Sequence, residues 1–348
     1  MSHSSIERWV AEFVASKELR DHELDGHREC FAQLIRGSLA KDVAEDYLRT
    51  LASFPLNEAI LSMAVDVVRG HMVPFQVDES LTTVDVCGTG GDGQNTFNIS
   101  TTTFFVLAGA GYHVVKHGNR GVTSSSGSSD VLQELGIPVV ASVNTLHTIF
   151  EEIGSVFLFA PSFHPVLKHV APIRASLGIR TIFNVMGPLL NPANPTHQLV
   201  GAYGVQVAQT MAESLHQRGV EATVFHHLEG YDEWVPFGQG VSYRTAPMQD
   251  HVITSQRSYH DFHVHQASQD DVRGGSIQEN AQILRQILQN EADAPKIDTV
   301  CMNAAMAIHT ISPERPLREA MEQARDSIAS GAALNVLESM IEVSHVDS

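Results

Sequence analysis

The chain has only three cysteines in 348 residues, Cys30, Cys87 and Cys301, far apart and in no Cys-x-x-Cys pair. A disulfide framework or a thiolate zinc site is therefore not expected, and a reducing cytoplasm is the predicted setting. Positive charge is also scarce: Lys and Arg number 22 against 40 Asp and Glu, a formal net charge of −18. Such a surface repels a phosphate backbone, which argues against a nucleic-acid binder. It repels small anions too, so any phosphate site must gather its own positive potential from backbone N–H groups, a few basic side chains or a metal. Long apolar runs are missing: the stretch around 104–111 is far too short to span a bilayer. The first residues, Met1-Ser-His-Ser-Ser-Ile-Glu7, lack the basic start and apolar run of a signal peptide. Hydrophobic residues make up 43% and charged residues 18%, enough apolar material for one large domain with a smaller one, or for two equal ones.

Residues 1–75 read as helical. Val10, Phe13 and Val14 keep helical spacing, as do Phe31, Leu34 and Ile35. Asn57 is placed to cap a helix through Ile60, Met63, Ala64 and Val67 that stops near Gly70. No strand pattern precedes Thr82. Strands are then predicted over 83–87, 112–116, 156–160, 199–203 and 222–226. Helices are predicted over 100–108, from a Ser129 cap through Leu132 and Leu135 to Gly136, and over 207–215. This alternation implies right-handed crossovers and an α/β fold, a mainly parallel sheet flanked by helices. Residues 162–180 are again helix-like, rich in His, Pro and Arg, and can return to the N-terminal region. Helices over 277–288, 299–308 and 317–329 close the chain.

Four constellations carry chemistry. Gly88-Thr-Gly-Gly-Asp-Gly93 precedes Thr96, Asn98, Ser100 and Thr101. Glycines let a backbone approach a phosphate, and N–H groups opening a helix make an anion site. No Gly-Lys-Ser/Thr follows, so this is not a Walker A loop, nor is it a dinucleotide fingerprint in register. The bland alternative is a tight strand-to-helix turn. After the next strand, Lys116-His-Gly-Asn-Arg-Gly-Val-Thr-Ser-Ser-Ser-Gly-Ser128 sets basic groups beside five hydroxyls, where the alternative is a solvated loop. Asp232-Glu233 would ordinarily be a solvated pair. Just past a strand's carboxyl end, however, both carboxylates can converge on a hard cation. Arg174 and Arg180 can hold a carboxylate or form surface ion pairs. His263 and His265 can share a strand face, but no carboxylate or cysteine completes a ligand set. Cys87 has no His and Asp arranged to activate it and reads as a small packed residue; no nucleophile or general base is predicted.

These residues resemble the anthranilate phosphoribosyltransferase family of tryptophan biosynthesis. The resemblance rests on Asp85-Val-Cys-Gly-Thr-Gly-Gly-Asp-Gly93, Thr96-Phe-Asn-Ile-Ser-Thr101, Lys116-His-Gly-Asn-Arg120, Ser126-Gly-Ser128 and Phe157-Leu-Phe-Ala-Pro161. Leu177-Gly-Ile-Arg-Thr-Ile-Phe-Asn184, Gly187-Pro-Leu189, Arg273-Gly-Gly275 and Glu279-Asn-Ala281 extend it over residues 80–330. It implies a small all-helical domain, 1–75 with roughly 162–185 returning to it, against a large α/β domain over 76–348, and a homodimer. It further implies transfer of phosphoribose from 5-phosphoribosyl 1-diphosphate (PRPP) to the amine of anthranilate, with no nucleic acid or membrane as partner. The donor would lie on Gly88, Gly91, Asp92, Thr96, Asn98, Ser100, Thr101, Lys116, Asn119, Ser124 and Ser128, with Ile99, Gly118 and Arg120 also among the substrate-binding residues. Mg²⁺ would use Ser100, Asp232 and Glu233, and the acceptor would meet His117, Asn119 and Arg174. Tyr231 and Trp234-Val-Pro236 depart from the family's pattern around the acidic pair. The rival readings are a paralogue with another aromatic acceptor, a pyrimidine nucleoside phosphorylase, and a non-catalytic nucleic-acid-binding homologue.

Overall fold

The computed structural model describes residues 3–20, 23–121, 126–246 and 250–345. Four helices come first: α1 (His3–Ser16), α2 (Leu24–Ile35), α3 (Lys41–Leu51) and α4 (Glu58–Arg69). Asn57 caps α4, its Oδ1 accepting the Ile60 N–H at 3.1 Å, and Gly70 ends it. Seven of the twelve α4 residues are buried, because the helix is covered by α2 on one side and by a later helix on another. The α/β part follows in the order β1 (Thr83–Gly88), α5 (Ile99–Gly109), β2 (His113–Gly118), α6 (Ser128–Glu134), α7 (Val143–Ile153), β3 (Ser155–Phe159), α8 (Ala160–Phe163), α9 (Ala171–Leu177), α10 (Phe183–Met186), β4 (His197–Gly201), α11 (Val205–Gln217), β5 (Glu221–His227), β6 (Gln239–Arg244), β7 (Ile253–Ser258), α12 (Ile277–Leu288), α13 (Ala294–Ile311), α14 (Leu317–Ala329) and α15 (Ala332–Ser344).

The sheet order is β3-β2-β1-β4-β5-β6-β7. The first five strands are parallel, and at one edge β6 pairs antiparallel with β5 and β7 antiparallel with β6. The chain steps outward from β1 to β2 and β3, then returns to place β4 on the other side of β1. The crevice between the carboxyl ends of β1 and β4 is thus the topological switch point where open α/β sheets bind ligands.

The middle strands are covered on both faces, so β1 is a buried β-branched run rather than an alternating one. On one face lies α5, almost wholly buried against α13, α14 and α15. Its threonines are tolerated there because Thr102 and Thr103 donate to the carbonyls four residues back, each at 2.9 Å. On the other face the core runs from α1–α4 through residues 170–190 to α11. Residues 165–177 pack on α2 and α3, and Phe31 of α2 stacks on Phe183 of α10 at 5.2 Å. Among the described residues, no helix is long and apolar enough to cross a membrane.

Several expectations need correction. Ser129 does not cap α6: the helix starts at Ser128, and Asp130 reaches back to accept the N–H groups of Gly121 (3.0 Å) and Gly127 (2.9 Å). The fourth strand stops at Gly201, two residues early, where the backbone gives way to the approach of Asp232. β6, β7, α7 and α15 were not anticipated.

Candidate active site

The loops after β1, β2 and β5 meet around one cavity of about 330 Å³. Every predicted site residue among the described ones lines it; Ser124 lies outside the described residues.

The glycine loop leaves β1 with Gly90 and Gly91 at φ +66° and +72°, a region L side chains rarely adopt. This turn aims the Gly90 N–H at Asp232 Oδ2, 2.7 Å away. The loop delivers the chain to the start of α5, where the Ser100 N–H donates to Glu233 Oε1 at 3.2 Å. Both carboxylates of the acidic pair are therefore held by backbone donors of the phosphate-type loop. The close seating has a steric basis: a Cβ on Gly88 would stand 2.5 Å from Asp232 Oδ2.

The acidic turn is fixed from behind. Trp234 is fully buried and stacks on Phe225 of β5 at 5.0 Å. Asn303 of α13 accepts the Trp234 N–H at 3.1 Å and donates to its carbonyl at 2.8 Å. The residues that depart from the family's pattern here, Tyr231 and Trp234, are thus core residues that anchor the turn. Burial pushes the Asp232 carboxyl up, and the neighbouring Asp92 carboxylate adds to the effect. Burial and then Asp232 push Glu233 up, while Lys116 opposes the shift. Repulsion among buried carboxylates is relieved by a cation, so this donor set fits a divalent metal. Among the described residues no group of three or more His, Cys, Asp or Glu could hold a metal alone. Two carboxylates and the Ser100 hydroxyl would fill only part of the oxygen shell of such a cation.

The second loop supplies the positive side. Lys116 is buried; its Nζ donates to the Val86 carbonyl and lies 3.3 Å from Ser100 Oγ. Asn98 and Ser126 bond each other, with Ser126 Oγ donating to Asn98 Oδ1 at 3.0 Å and Asn280 Nδ2 of α12 donating to Ser126 Oγ at 2.6 Å. Ser128 Oγ donates to the Asn119 carbonyl at 3.2 Å, closing the loop on itself.

At the far wall, the backbone of His117 is held by buried Asp85, its N–H reaching Oδ1 at 3.3 Å. Burial, followed by the charge of His164, lowers the His117 imidazole to about 3, so it is neutral at physiological pH. Its Nδ1 faces the Gly187 carbonyl at 3.2 Å and must carry the proton, leaving Nε2 a buried acceptor with no partner among the described residues. Arg174 is half-buried over Phe183, 5.6 Å from its ring centroid, and burial lowers its pKa. No carboxylate lies within ion-pair distance of it among the described residues. Arg180 does not line this cavity: its guanidinium lies over the Tyr203 ring at 4.4 Å and donates to the Gly91 carbonyl from outside it, so of the two arginines only Arg174 faces the cavity.

Sequence reasoning missed Asn303, Asn280, His164 and Phe183. Asn280 and Phe183 fall inside matched motifs but carried no role; nothing in the local pattern around Asn303 signals a clamp on a loop 69 residues away.

The profile described as "Glycosyl transferase family, a/b domain" matches residues 80–334, which defines the class of protein. An anthranilate phosphoribosyltransferase of Salinibacter ruber is 43% identical over 284 residues, 80% of this chain and 81% of its own length. One from Persephonella marina is 39% identical over 345 residues, 97% of this chain and 99% of its own. The solved anthranilate phosphoribosyltransferase of Saccharomyces cerevisiae in complex with PRPP and Mg superposes with a TM-score of 0.88 at 27% identity, covering 99% of both chains. The chain belongs to the anthranilate phosphoribosyltransferase family.

Proposed function

We propose that this enzyme transfers the phosphoribosyl group of PRPP to the amine of anthranilate, releasing diphosphate. The observation that carries the reading is Arg174: a half-buried guanidinium with no carboxylate partner among the described residues, in the same cavity as the glycine loop and the acidic pair. A carboxylate-bearing acceptor is the partner such a group lacks.

The donor diphosphate would lie along Gly88–Gly93 and the start of α5, beside the Gly90 and Ser100 N–H groups that the acidic pair takes, with Lys116 and the hydroxyls of the second loop on its phosphates. Ser100, Asp232 and Glu233 would hold Mg²⁺, which when bound supplies charge stabilisation for the departing diphosphate. Arg174 would orient the acceptor so that its amine faces C1 of the ribose, a contribution of proximity. Asn119 and neutral His117 would complete the acceptor wall. An aromatic amine is already nucleophilic, so the absence of a predicted general base is consistent with this chemistry. Residues 1–75 with 162–185 would act as a small helical domain whose surface forms a homodimer, and the three unpaired cysteines suit a cytoplasmic enzyme.

The test is the loss of anthranilate fluorescence when the folded protein is mixed with PRPP, Mg²⁺ and anthranilate. Loss is expected only with all three present; unchanged fluorescence would refute the substrate assignment.

A further inference from the structure

A second cavity, of about 370 Å³, lies where α3 and α4 face α11. It shares no lining residue with the active-site cavity. Its walls are mostly apolar, with Leu51, Phe54, Leu56 and Ile60 on the helical side and Ile182 and Val207 from the other elements. Among the described residues, Arg180 is the only charged side chain that lines it. In a protein with nearly twice as many acidic as basic residues, Arg180 has no carboxylate within ion-pair distance among the described residues. Its guanidinium sits over the Tyr203 ring, and one Nη2 N–H donates to the Gly91 carbonyl. The other N–H groups of its five make no hydrogen bond to a described residue.

We propose that this cavity binds a small aromatic carboxylate, its rings against Leu51, Phe54, Leu56 and Val207 and its carboxylate on Arg180. The volume falls within the range of small-ligand pockets, about 300–1,000 Å³, and the cavity has their usual character of apolar walls with few convergent polar groups. One guanidinium without a second cation suits a monoanion; a phosphate dianion would be left half-compensated. The occupant reaches the active site through a shared side chain. Gly91 lines the donor cavity, and Arg180 is bonded to its carbonyl. A carboxylate that draws the guanidinium towards the cavity lengthens that bond and loosens the glycine loop, so occupancy weakens donor binding, and by linkage the donor weakens the occupant.

The proposal does not depend on which acceptor the enzyme uses. It is tested by titrating 1-naphthoate into the full-length protein by calorimetry, with and without saturating anthranilate. Saturable one-to-one binding that survives anthranilate is expected. Arg180→Gln should weaken it at least roughly tenfold, the loss of one charge-assisted contact. Val207→Trp, which fills the cavity and leaves the arginine in place, should weaken it similarly, and Arg174→Ala should leave it unchanged. Neutral 1-naphthalenemethanol should bind at least roughly tenfold more weakly than the acid. In wild-type enzyme 1-naphthoate should raise the KM for PRPP, and in Arg180→Gln it should not. The proposal is overturned by displacement of the probe by anthranilate, by its loss in Arg174→Ala, by indifference to Val207→Trp, or by no binding at all. It is also overturned if sedimentation shows that Val207→Trp splits an oligomer, which would assign the cleft to a second copy of the chain.

Discussion

The backbone oxygen of Asp232 lies 1.6 Å from the position a Cβ would take on Gly201. Real Cβ contacts never come that close, and the atom in the way is backbone rather than the end of a flexible side chain. The acidic turn can therefore reach the switch point only over a glycine at the end of β4. Gly201→Ala must push Asp232 and Glu233 out by more than an ångström. A displacement of that size at a reacting centre costs about 100-fold in rate. The expected result is a kcat/KM loss of about that size or more, with a raised half-saturation for Mg²⁺. Stability should fall by about 1–3 kcal/mol, as for other overpacked sites. Steady-state kinetics and urea denaturation measure the two effects.

The acidic pair itself gives a sharper test. Asp232→Asn with Glu233→Gln keeps the shape of the turn and leaves oxygens to accept the Gly90 and Ser100 N–H groups. Burial no longer opposes a charge there, so the fold should be as stable or more so in the absence of metal. Stimulation by Mg²⁺ should disappear, along with any heat of Mg²⁺ binding in the presence of PRPP. A double variant still stimulated by the metal would disprove the ligand assignment.

Much of this was legible in the sequence because glycine, hydroxyl and basic residues cluster locally at strand ends. The pattern around β1 and β2 identifies both loops, and strand alternation places them on one edge of a sheet. What was not legible depends on contacts between distant segments. β7 reads Ile-Thr-Ser-Gln-Arg-Ser, with no residue fully buried, and is a strand only because β6 offers it a ladder. α6 looked capped by Ser129 because a hydroxyl near a helix start is the usual cap, whereas Asp130 supplies it from inside the first turn. Asn303 of α13 bonds both backbone groups of Trp234 in the distant acidic turn, and no spacing within α13 announces that. Proximity in sequence groups Arg180 with Arg174, but the left-handed Gly178 lies between them, and the two side chains line different cavities.

Stability should depend on pH through buried imidazoles. His27 packs edge-on to Trp9 and Phe13, with ring centroids 4.8 and 4.9 Å away, and its Nδ1 lies 3.1 Å from Tyr47 Oη. Burial lowers it to about 4. The unfolded chain takes up this proton near pH 6.5 and the folded one does not, so stability is complete above about 6.5 and is lost as pH falls towards 4. The slope is at most about 1.4 kcal/mol per pH unit for one histidine. His164 and His227, each lowered to about 4 by burial, act in the same direction. The raised carboxyls of the acidic turn act in the opposite one, so the comparison should be between two proteins. Urea midpoints of wild type and His27→Gln, measured from pH 7 to 4.5, should converge as the pH falls. Parallel curves would show that His27 is protonated in the folded state.

Arg174 decides whether the acceptor reading stands. Its guanidinium is desolvated over Phe183 with no anion among the described residues to offset the cost, so its contribution should appear when a carboxylate arrives. Charge-assisted hydrogen bonds contribute about 1.5–3 kcal/mol, which converts to roughly 10- to 150-fold. Arg174→Ala should raise the KM for anthranilate by that factor while the calorimetric affinity for PRPP with Mg²⁺ changes by less than about twofold. Arg174→Lys should recover only part of the loss, because a point charge cannot make the bidentate contact. Aniline, which lacks the carboxylate, should be used equally poorly by wild type and Arg174→Ala. If Arg174→Ala instead weakens PRPP and spares anthranilate, the arginine belongs to the donor, and the acceptor wall must be sought elsewhere in the cavity.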